Sequence, residues 1–168
     1  MTNWYPAHSN LYEDVQTRNR YPDMEEAKRL PKLWAASRDS ARTPMQWTDG
    51  ENAGFTTGKT RFYVNQNYQE GNVAQQESDP DSVLNFYRAA IALRKKLPVV
   101  RDGRYREYRK QSSKRYVYTR ATAQQKLLAV CSFSEKPARF RAPKGYPLSK
   151  GKLVLTNERT LQPTITLL

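Results

Sequence analysis

The strongest fold signal in this chain is an amphipathic helix predicted between residues 80 and 97. Ser78 or Asp79 can cap its start, Pro80 suits the first helical turn, and Pro98 ends it. One face is apolar apart from a single basic member, and consists of Val83, Phe86, Tyr87, Ala90, Ile91, Arg94 and Leu97. Such a face has to be buried against another surface. Residues 1–76 show no series of strands that could cover it, so we expect part of the scaffold to be missing.

Short strands separated by turns are predicted after this helix. The runs that indicate strands are residues 104–109, 115–120, 127–133, 138–141, 153–155 and 164–168. Turn residues recur between them at roughly ten-residue intervals, which is typical of a small antiparallel β-sandwich. Residues 127–133 are continuously apolar, so we expect a strand buried on both faces, with Cys131 in the core.

The segment before the helix is polar and irregular. Residues 1–20 have no helical or alternating period, and we expect Trp4, Tyr5 and Tyr12 to anchor them as a loop. A short helix is predicted from Pro22 to Leu30, because acidic residues open it and basic residues close it. Pro31 is expected to interrupt that helix.

Composition restricts the classes of function. The chain has 29 Lys and Arg against 16 Asp and Glu, a formal net charge of +13, so a nucleic-acid partner has to be considered. One cysteine excludes an internal disulfide, and one histidine, His8, excludes a His-rich metal site. No apolar run is long enough for a membrane span, and the N-terminus lacks an apolar signal region. We expect a cytoplasmic protein with no cofactor, no metal and no membrane partner.

Residues 37–58, which we call the arginine-rich loop, carry the densest polar pattern. They contain SRDSARTPMQW at 37–47 and NAGFTTG at 52–58. Proline and glycine make this stretch a poor helix and a poor strand, while Met45, Trp47 and Phe55 are too apolar for a solvated linker. The pattern therefore predicts an ordered binding loop, packed by these three side chains, that presents charged groups.

These residues resemble the corresponding loop of glycoside hydrolase family 13, in its oligo-1,6-glucosidase and α-glucosidase branch. VNQNY at 64–68 is similar to a VNPNY segment of that branch, with Gln66 in place of proline. Residues 86–99 resemble its last barrel helix and residues 126–134 a core strand of its C-terminal domain. The resemblance runs in the same order over nearly the whole chain.

The resemblance implies an α+β fragment: the last βα loop and helix of a (β/α)8 barrel, followed by a small antiparallel β-sandwich that lacks its final strand. The corresponding domains are residues 1–98, the barrel remnant, and residues 99–168, the sandwich. The implied function is hydrolysis of α-glucosidic bonds in short gluco-oligosaccharides by a retaining mechanism that uses two carboxyl groups. The family's catalytic acids lie upstream of every residue here, so we expect no catalytic residue in this chain and no activity of the chain alone.

By the same resemblance, Arg42 binds a hydroxyl of the non-reducing-end glucose, which suits a guanidinium with its five donors. The alternative is that Arg42 only braces the loop. We expect Arg38 and Asp39 to order the loop, with Asp39 forming an ion pair to Arg38 or Arg42, and Trp47 and Phe55 to pack it. Gluco-oligosaccharide is then a partner only in the intact enzyme, and exposed barrel-facing surface or a free sheet edge favours association.

Two other functions are compatible with the sequence. Basic residues between Arg101 and Arg115 alternate with Tyr105 and Tyr108, a pattern that can bind nucleic acid. No known nucleic-acid-binding signature accompanies it, so we expect a solvated face there. The remaining alternative is a non-catalytic sugar-binding module.

Overall fold

The computed structural model describes residues 2–108, 112–136 and 140–157. The chain divides into two compact units, Met1–Leu84 and Asn85–Leu168. Its α-helices are α1 Val15–Arg18, α2 Glu26–Ala36, α3 Val73–Ser78, α4 Val83–Lys96 and α5 Pro98–Asp102. Its strands are β1 Arg104–Tyr108, β2 Arg115–Ala121 and β3 Lys126–Ser132. Single 3₁₀ turns lie at Ser9–Leu11, Arg38–Ala41, Gln66–Gln69 and Leu148–Lys150.

Aromatic contacts hold the N-terminal segment of the first unit, as its sequence predicted. The ring of Trp4 stacks on Tyr63 with centroids 5.4 Å apart and meets Tyr12 edge-on at 5.9 Å. Tyr5 meets Trp34 edge-on, and the Trp34 indole N–H donates to the carbonyl of Pro6 at 3.0 Å. Residues without regular secondary structure are therefore fixed by ring packing.

Helix α2 runs through Pro31, so the expectation of a break there is wrong. Proline removes one backbone hydrogen bond from a helix. Two features of the residues after Pro31 offset the loss of that hydrogen bond. Leu33 is fully buried, and the indole N–H of Trp34 donates a hydrogen bond to the carbonyl of Pro6. The helix also begins later than predicted, at Glu26.

Helix α4 is confirmed, and its apolar face is open. No residue of α4 is buried, and Val83, Tyr87 and Ile91 are 68%, 63% and 52% exposed. These three side chains follow one another at four-residue steps and so lie on one face. Among the described residues, no helix combines the length and apolarity needed to cross a bilayer.

The second unit contains a three-stranded antiparallel sheet in the order β1-β2-β3. Its register pairs Val117 with Tyr108 on one side and with Val130 on the other. Alternate residues of a strand face opposite sides of the sheet. On the Val117 side, Leu128 and Tyr146 complete a buried cluster against which Phe140 and Leu148 pack. The predicted strands at 104–109, 115–120 and 127–133 are thus confirmed to within one residue at each described end, and residue 109 lies outside the described residues.

Other features of the predicted sandwich differ from the structure. Cys131 is exposed, so its assignment to the core is wrong, because its side of the sheet is covered only near Leu127. Residues 153–155 are irregular. Residues 138–139 and 164–168 lie outside the described residues. Besides the helices, the described part of the unit contains one sheet with a short covering segment, and no second sheet occurs among these residues.

Truncating the core of the sheet should unfold the second unit. Leu128 is fully buried between Val117 and Tyr146, so Leu128→Ala removes apolar packing and leaves a cavity. We expect a loss of about 2–5 kcal/mol in the free energy of unfolding. Phe133→Ala is the control, because that ring is 72% exposed and its removal should cost far less. Urea unfolding followed by circular dichroism measures both, and equal losses would contradict this core assignment.

Candidate functional site

The arginine-rich loop is organised around the buried carboxylate of Asp39. Ser37 caps the turn Arg38–Ala41, and its hydroxyl accepts the Asp39 N–H at 3.2 Å. The Asp39 side chain is 1% exposed. Its Oδ2 accepts two backbone N–H groups, from Glu13 at 2.7 Å and from Asp14 at 2.8 Å. These bonds join the loop to a segment more than twenty residues earlier and satisfy a charge that would otherwise be costly to bury.

Arg42 uses the other oxygen of the same carboxylate. Its Nη2 donates to Oδ1 of Asp39 in a short ion pair, which confirms that Asp39 pairs with one of the two predicted arginines. The guanidinium carbon lies 5.1 Å from the centroid of the Phe62 ring, and Arg61 lies 5.5 Å from the same centroid. The Arg42 side chain is nevertheless 41% exposed. Arg42 is therefore held in place while most of its N–H donors remain accessible.

Arg38 pairs with Asp14 and not with Asp39. Its Nε donates to Oδ1 of Asp14 at 3.1 Å, and its Nη2 donates to the same oxygen. Oδ2 of Asp14 accepts the Thr17 hydroxyl at 2.6 Å and caps helix α1. The Arg38 hydrogen bond, with that of Thr17, lowers the pKa of Asp14 against the opposing effect of burial. Asp14 is thus held as a carboxylate, suited to ordering the loop and not to donating a proton.

Three consecutive residues of the loop adopt left-handed backbone conformations. Asn52, Ala53 and Gly54 have φ values of 50°, 57° and 65°. The carbonyl of Ala53 accepts the N–H groups of Trp47 at 2.9 Å and Thr48 at 3.1 Å. Each non-glycine residue in this region costs roughly 1–2 kcal/mol. Strain of this kind persists where the surroundings hold it, and it concentrates at functional sites.

The aromatic side chains of the loop are less buried than we expected. Trp47 is 48% exposed, Phe55 50% and Met45 38%. Their backbones order the loop instead: the carbonyl of Trp47 accepts the Ala74 N–H at 3.0 Å, and Phe55 donates to Asn52 at 3.1 Å.

Gln46 is the buried polar anchor of the loop. It is fully buried, and its amide nitrogen donates to Oδ1 of Asn67 at 3.0 Å and to the carbonyl of Gly71 at 2.9 Å. Asn67 in turn donates to the Thr2 hydroxyl at 2.8 Å, and Asn65 donates to the Thr2 carbonyl at 2.9 Å. The loop, the residues 65–71 and the N-terminal segment are therefore joined by side-chain amides.

The sequence motif contains Arg38, Asp39 and Arg42 but does not reveal two of their partners. Asp14 and Phe62 lie 24 and 20 positions away from the arginines that they contact, and no local pattern reveals such pairs. The three-residue spacing of Asp39 and Arg42 is the one signal that was readable. Asp49 and Glu51, the other acids of the loop, are exposed. No group of three or more His, Cys, Asp or Glu side chains that could hold a metal ion occurs in the described ranges.

Known proteins resemble this chain in sequence and in structure. The model of the family described as "Alpha amylase, catalytic domain" matches residues 1–103. A probable oligo-1,6-glucosidase 2 of Bacillus subtilis is 39% identical over 152 residues, which cover 87% of this chain and 27% of that protein. The oligo-1,6-glucosidase of Parageobacillus thermoglucosidasius is 37% identical over the same shares of the two chains.

Solved structures agree with these sequence matches. The crystal structure of Bacillus licheniformis trehalose-6-phosphate hydrolase superposes with a TM-score of 0.89 at 32% identity, and the match covers 100% of this chain and 32% of that one. The chain therefore spans about a quarter to a third of the length of the relatives that it matches.

The left-handed turn gives a direct test of the loop geometry. A Cβ at residue 54 would lie 2.5 Å from Oγ1 of Thr48 at a φ of +65°. We expect Gly54→Ala to lower the free energy of unfolding by about 1–2 kcal/mol or more. Gly58→Ala is the control. The atom nearest to its added Cβ is Oγ1 of Thr56, at 3.7 Å, and the φ of residue 58 is ordinary, so the free energy of unfolding should stay the same or rise slightly. Thermal melts of the two variants measure this difference. An unchanged melting temperature in Gly54→Ala would contradict the left-handed turn.

The pair of Arg38 and Asp14 should make stability depend on pH. Because the folded pKa of Asp14 is lowered, its carboxylate contributes stability above the unfolded value of about 3.9. That contribution disappears as pH falls through the folded value. Arg38→Gln should therefore destabilise the protein at neutral pH, and the difference from wild type should narrow below about pH 4. Urea unfolding across this pH range measures the difference in free energy of unfolding that Arg38→Gln causes. In an Asp14→Asn background this difference should not change with pH. A difference that stays constant with pH in the wild-type background would contradict the ion pair of Arg38 with Asp14.

Proposed function

This chain belongs to the α-amylase family, and on that premise we propose that it forms the rim of the sugar pocket and the C-terminal region of an α-glucosidase. The reaction of the whole enzyme is hydrolysis of α-glucosidic bonds in short gluco-oligosaccharides. The names of the relatives support this class of substrate, since two are oligo-1,6-glucosidases and one is a trehalose-6-phosphate hydrolase. The observation that carries the proposal is the position of Arg42.

Arg42 combines a fixed position with free donors. One of its N–H groups is bound by Asp39, whose carboxylate is itself held by two backbone N–H groups. The remaining donors of the planar guanidinium can bind hydroxyl oxygens in a defined direction. Because Phe62 supports the guanidinium from the side, little conformational entropy is lost when a sugar binds. We assign Arg42 to the non-reducing-end glucose.

The rest of the loop serves this geometry. Arg38 fixes the start of the turn through Asp14, and the strained turn at 52–54 fixes its end. We assign Trp47 and Phe55 to ordering the loop, with their half-exposed rings packing against the remainder of the enzyme. Loops of this kind, at the C-terminal face of a (β/α)8 barrel, surround the active site.

The chemistry itself needs residues outside this chain. A retaining glycosidase uses two carboxyl groups about 5–5.5 Å apart, one as nucleophile and one as acid and base. Asp39 within the loop and Asp14 beside it are buried acids, each bound to an arginine that it serves to position. We therefore place the nucleophile and the proton donor outside these 168 residues and expect no turnover from the chain alone.

The proposed architecture has a boundary at residues 98 and 99. Residues 1–98 form the last βα loop and helix of the barrel, and residues 99–168 a small antiparallel sandwich. The family match to residues 1–103 and the start of β1 at Arg104 support a boundary close to this position, although the two compact units divide earlier, after Leu84. The open face of α4 fits a helix whose partner surface belongs to the barrel. A single exposed cysteine fits a reducing compartment, and we place the protein in the cytoplasm.

A chimera tests the proposal. Replacing the matching segment of the Bacillus subtilis relative with this chain should give an enzyme that hydrolyses a chromogenic α-glucoside, while this chain alone should show no turnover above a mock purification. In the chimera, Arg42→Ala should lower kcat/KM about 10- to 150-fold, the effect of removing a charged hydrogen bond. Arg61→Ala is the matched control, because Arg61 stacks on the same ring.

Three outcomes would contradict the proposal. Turnover by the isolated chain would place catalytic groups within it. A folded chimera that remains active after Arg42→Ala, or that loses as much activity after Arg61→Ala, would remove Arg42 from the sugar site. Thermal melts of each variant separate loss of function from loss of fold.

A further inference from the structure

Charge is divided very unequally between the two units. Residues 85–168 contain 20 Lys and Arg against 4 Asp and Glu, a formal charge of +16. Residues 1–84 contain 9 Lys and Arg against 12 Asp and Glu, a formal charge of −3. The net charge of the chain therefore resides in the second unit. A field of that size attracts polyanions at physiological salt.

The acids of the second unit neutralise little of this charge. Asp102 is paired with its neighbour Arg101, and both side chains are more than half exposed. Glu107 accepts the Tyr105 hydroxyl at 3.3 Å. Such exposed pairs are weak and compete poorly with a polymer of phosphates.

One side of the sheet carries a group of tyrosines, which we call the tyrosine face: Tyr105, Tyr116 and Tyr118. The register places them on the same side of the sheet. Tyr118 lies opposite Glu107, Tyr105 is two residues before Glu107 on β1, and Tyr116 is two residues before Tyr118 on β2. The Tyr118 ring centroid is 5.6 Å from that of Tyr105 and 5.5 Å from that of Tyr116. The hydroxyls of Tyr105 and Tyr116 are 2.8 Å apart and hydrogen-bonded. Tyr105 is 45% and Tyr116 38% exposed, so rigid rings face outward.

Basic side chains border these rings. Arg104 and Arg106 precede and follow Tyr105 on β1, an edge of the described sheet; both are exposed and lie on the side of the sheet opposite the tyrosine face. Lys114 is exposed just before β2, and Arg120 lies opposite Tyr105 in the register. A polymer that crosses the β1 edge can therefore reach cations and rings together. Arg109 and Lys110, which belong to the same basic sequence cluster, lie outside the described residues.

We propose that the unit of residues 85–168 binds single-stranded nucleic acid, with phosphates on the basic groups of β1 and its neighbours and bases on the tyrosine face. The absence of a known signature led us to expect no such partner, but the charge division and the exposed rings together argue for one. Inorganic polyphosphate would bind the basic groups but has no bases to stack on the tyrosine rings. A duplex keeps its bases stacked inside, whereas a single strand can stack them on aromatic side chains.

The test uses the full 168-residue chain and a fluorescein-labelled 20-nucleotide oligo(U). We expect saturable binding by fluorescence anisotropy, with log K falling linearly as log salt rises. An unlabelled competitor series compares oligo(U) with a hairpin duplex, inorganic polyphosphate and phosphatidylserine vesicles at equal charge. Oligo(U) should compete best, because it alone offers both phosphates and unstacked bases.

Paired variants separate the rings from the charge. Tyr116→Ala should weaken binding about 5- to 150-fold, the effect of removing one stacked base, while Tyr116→Phe keeps the ring and should bind as wild type. The double variant Arg104→Gln with Lys114→Gln should flatten the salt slope by about 0.7 for each phosphate that the protein no longer neutralises. The matched control, Arg18→Gln with Lys59→Gln, removes the same charge from exposed sites of the first unit and should leave the slope unchanged.

Several results would overturn the proposal. Absence of oligo(U) binding at low salt would do so, as would stronger competition by vesicles or polyphosphate. Unchanged affinity in Tyr116→Ala would also refute it, since charge alone would then explain retention. Because Tyr116→Phe retains the fold and the ring, weakened binding by that variant would count against stacking. Circular dichroism confirms that each variant is folded.

Discussion

The buried carboxylate of Asp39 is the interaction on which the first unit depends. A buried charge is tolerated in a protein when it is paired and hydrogen-bonded. Asp39 meets this condition with two backbone N–H groups from residues 13 and 14 and with the guanidinium of Arg42. The same contacts that stabilise the charge join two distant segments and aim Arg42. Structure and proposed sugar recognition therefore share one set of bonds.

Each unit is stabilised internally by a different kind of contact. The first relies on amide, carboxylate and ring contacts of irregular segments, such as Gln46 with Asn67 and Trp4 with Tyr63. The second relies on a small apolar cluster around Val117 and Leu128 under a three-stranded sheet. The open face of α4 is apolar surface that the described residues leave uncovered. The chain spans about a quarter to a third of the length of its relatives, and such a face suits a fragment of a longer fold.

Local patterns predicted the elements whose period is strong. The three- and four-residue spacing of its apolar residues identified α4, and short runs separated by turn residues identified β1, β2 and β3. Elements governed by distant contacts were predicted poorly. Pro31 does not end α2, because Leu33 and Trp34 are held by other segments. Cys131 was assigned to a core by its apolar neighbours, although the sheet is left exposed at its position.

The order of residues was enough to identify the family, the arginine-rich loop and the candidate residues Arg38, Asp39 and Arg42, because these lie in one continuous motif. It also determined the charge imbalance, which composition alone records. Tertiary structure decided which carboxylate each arginine binds, since Asp14 and Arg38 are 24 positions apart and meet only after folding. It also decided that Trp47 and Phe55 stay half exposed and that three tyrosines share one open face. Burial and pairing depend on what the rest of the chain places alongside a residue, and no local period encodes that.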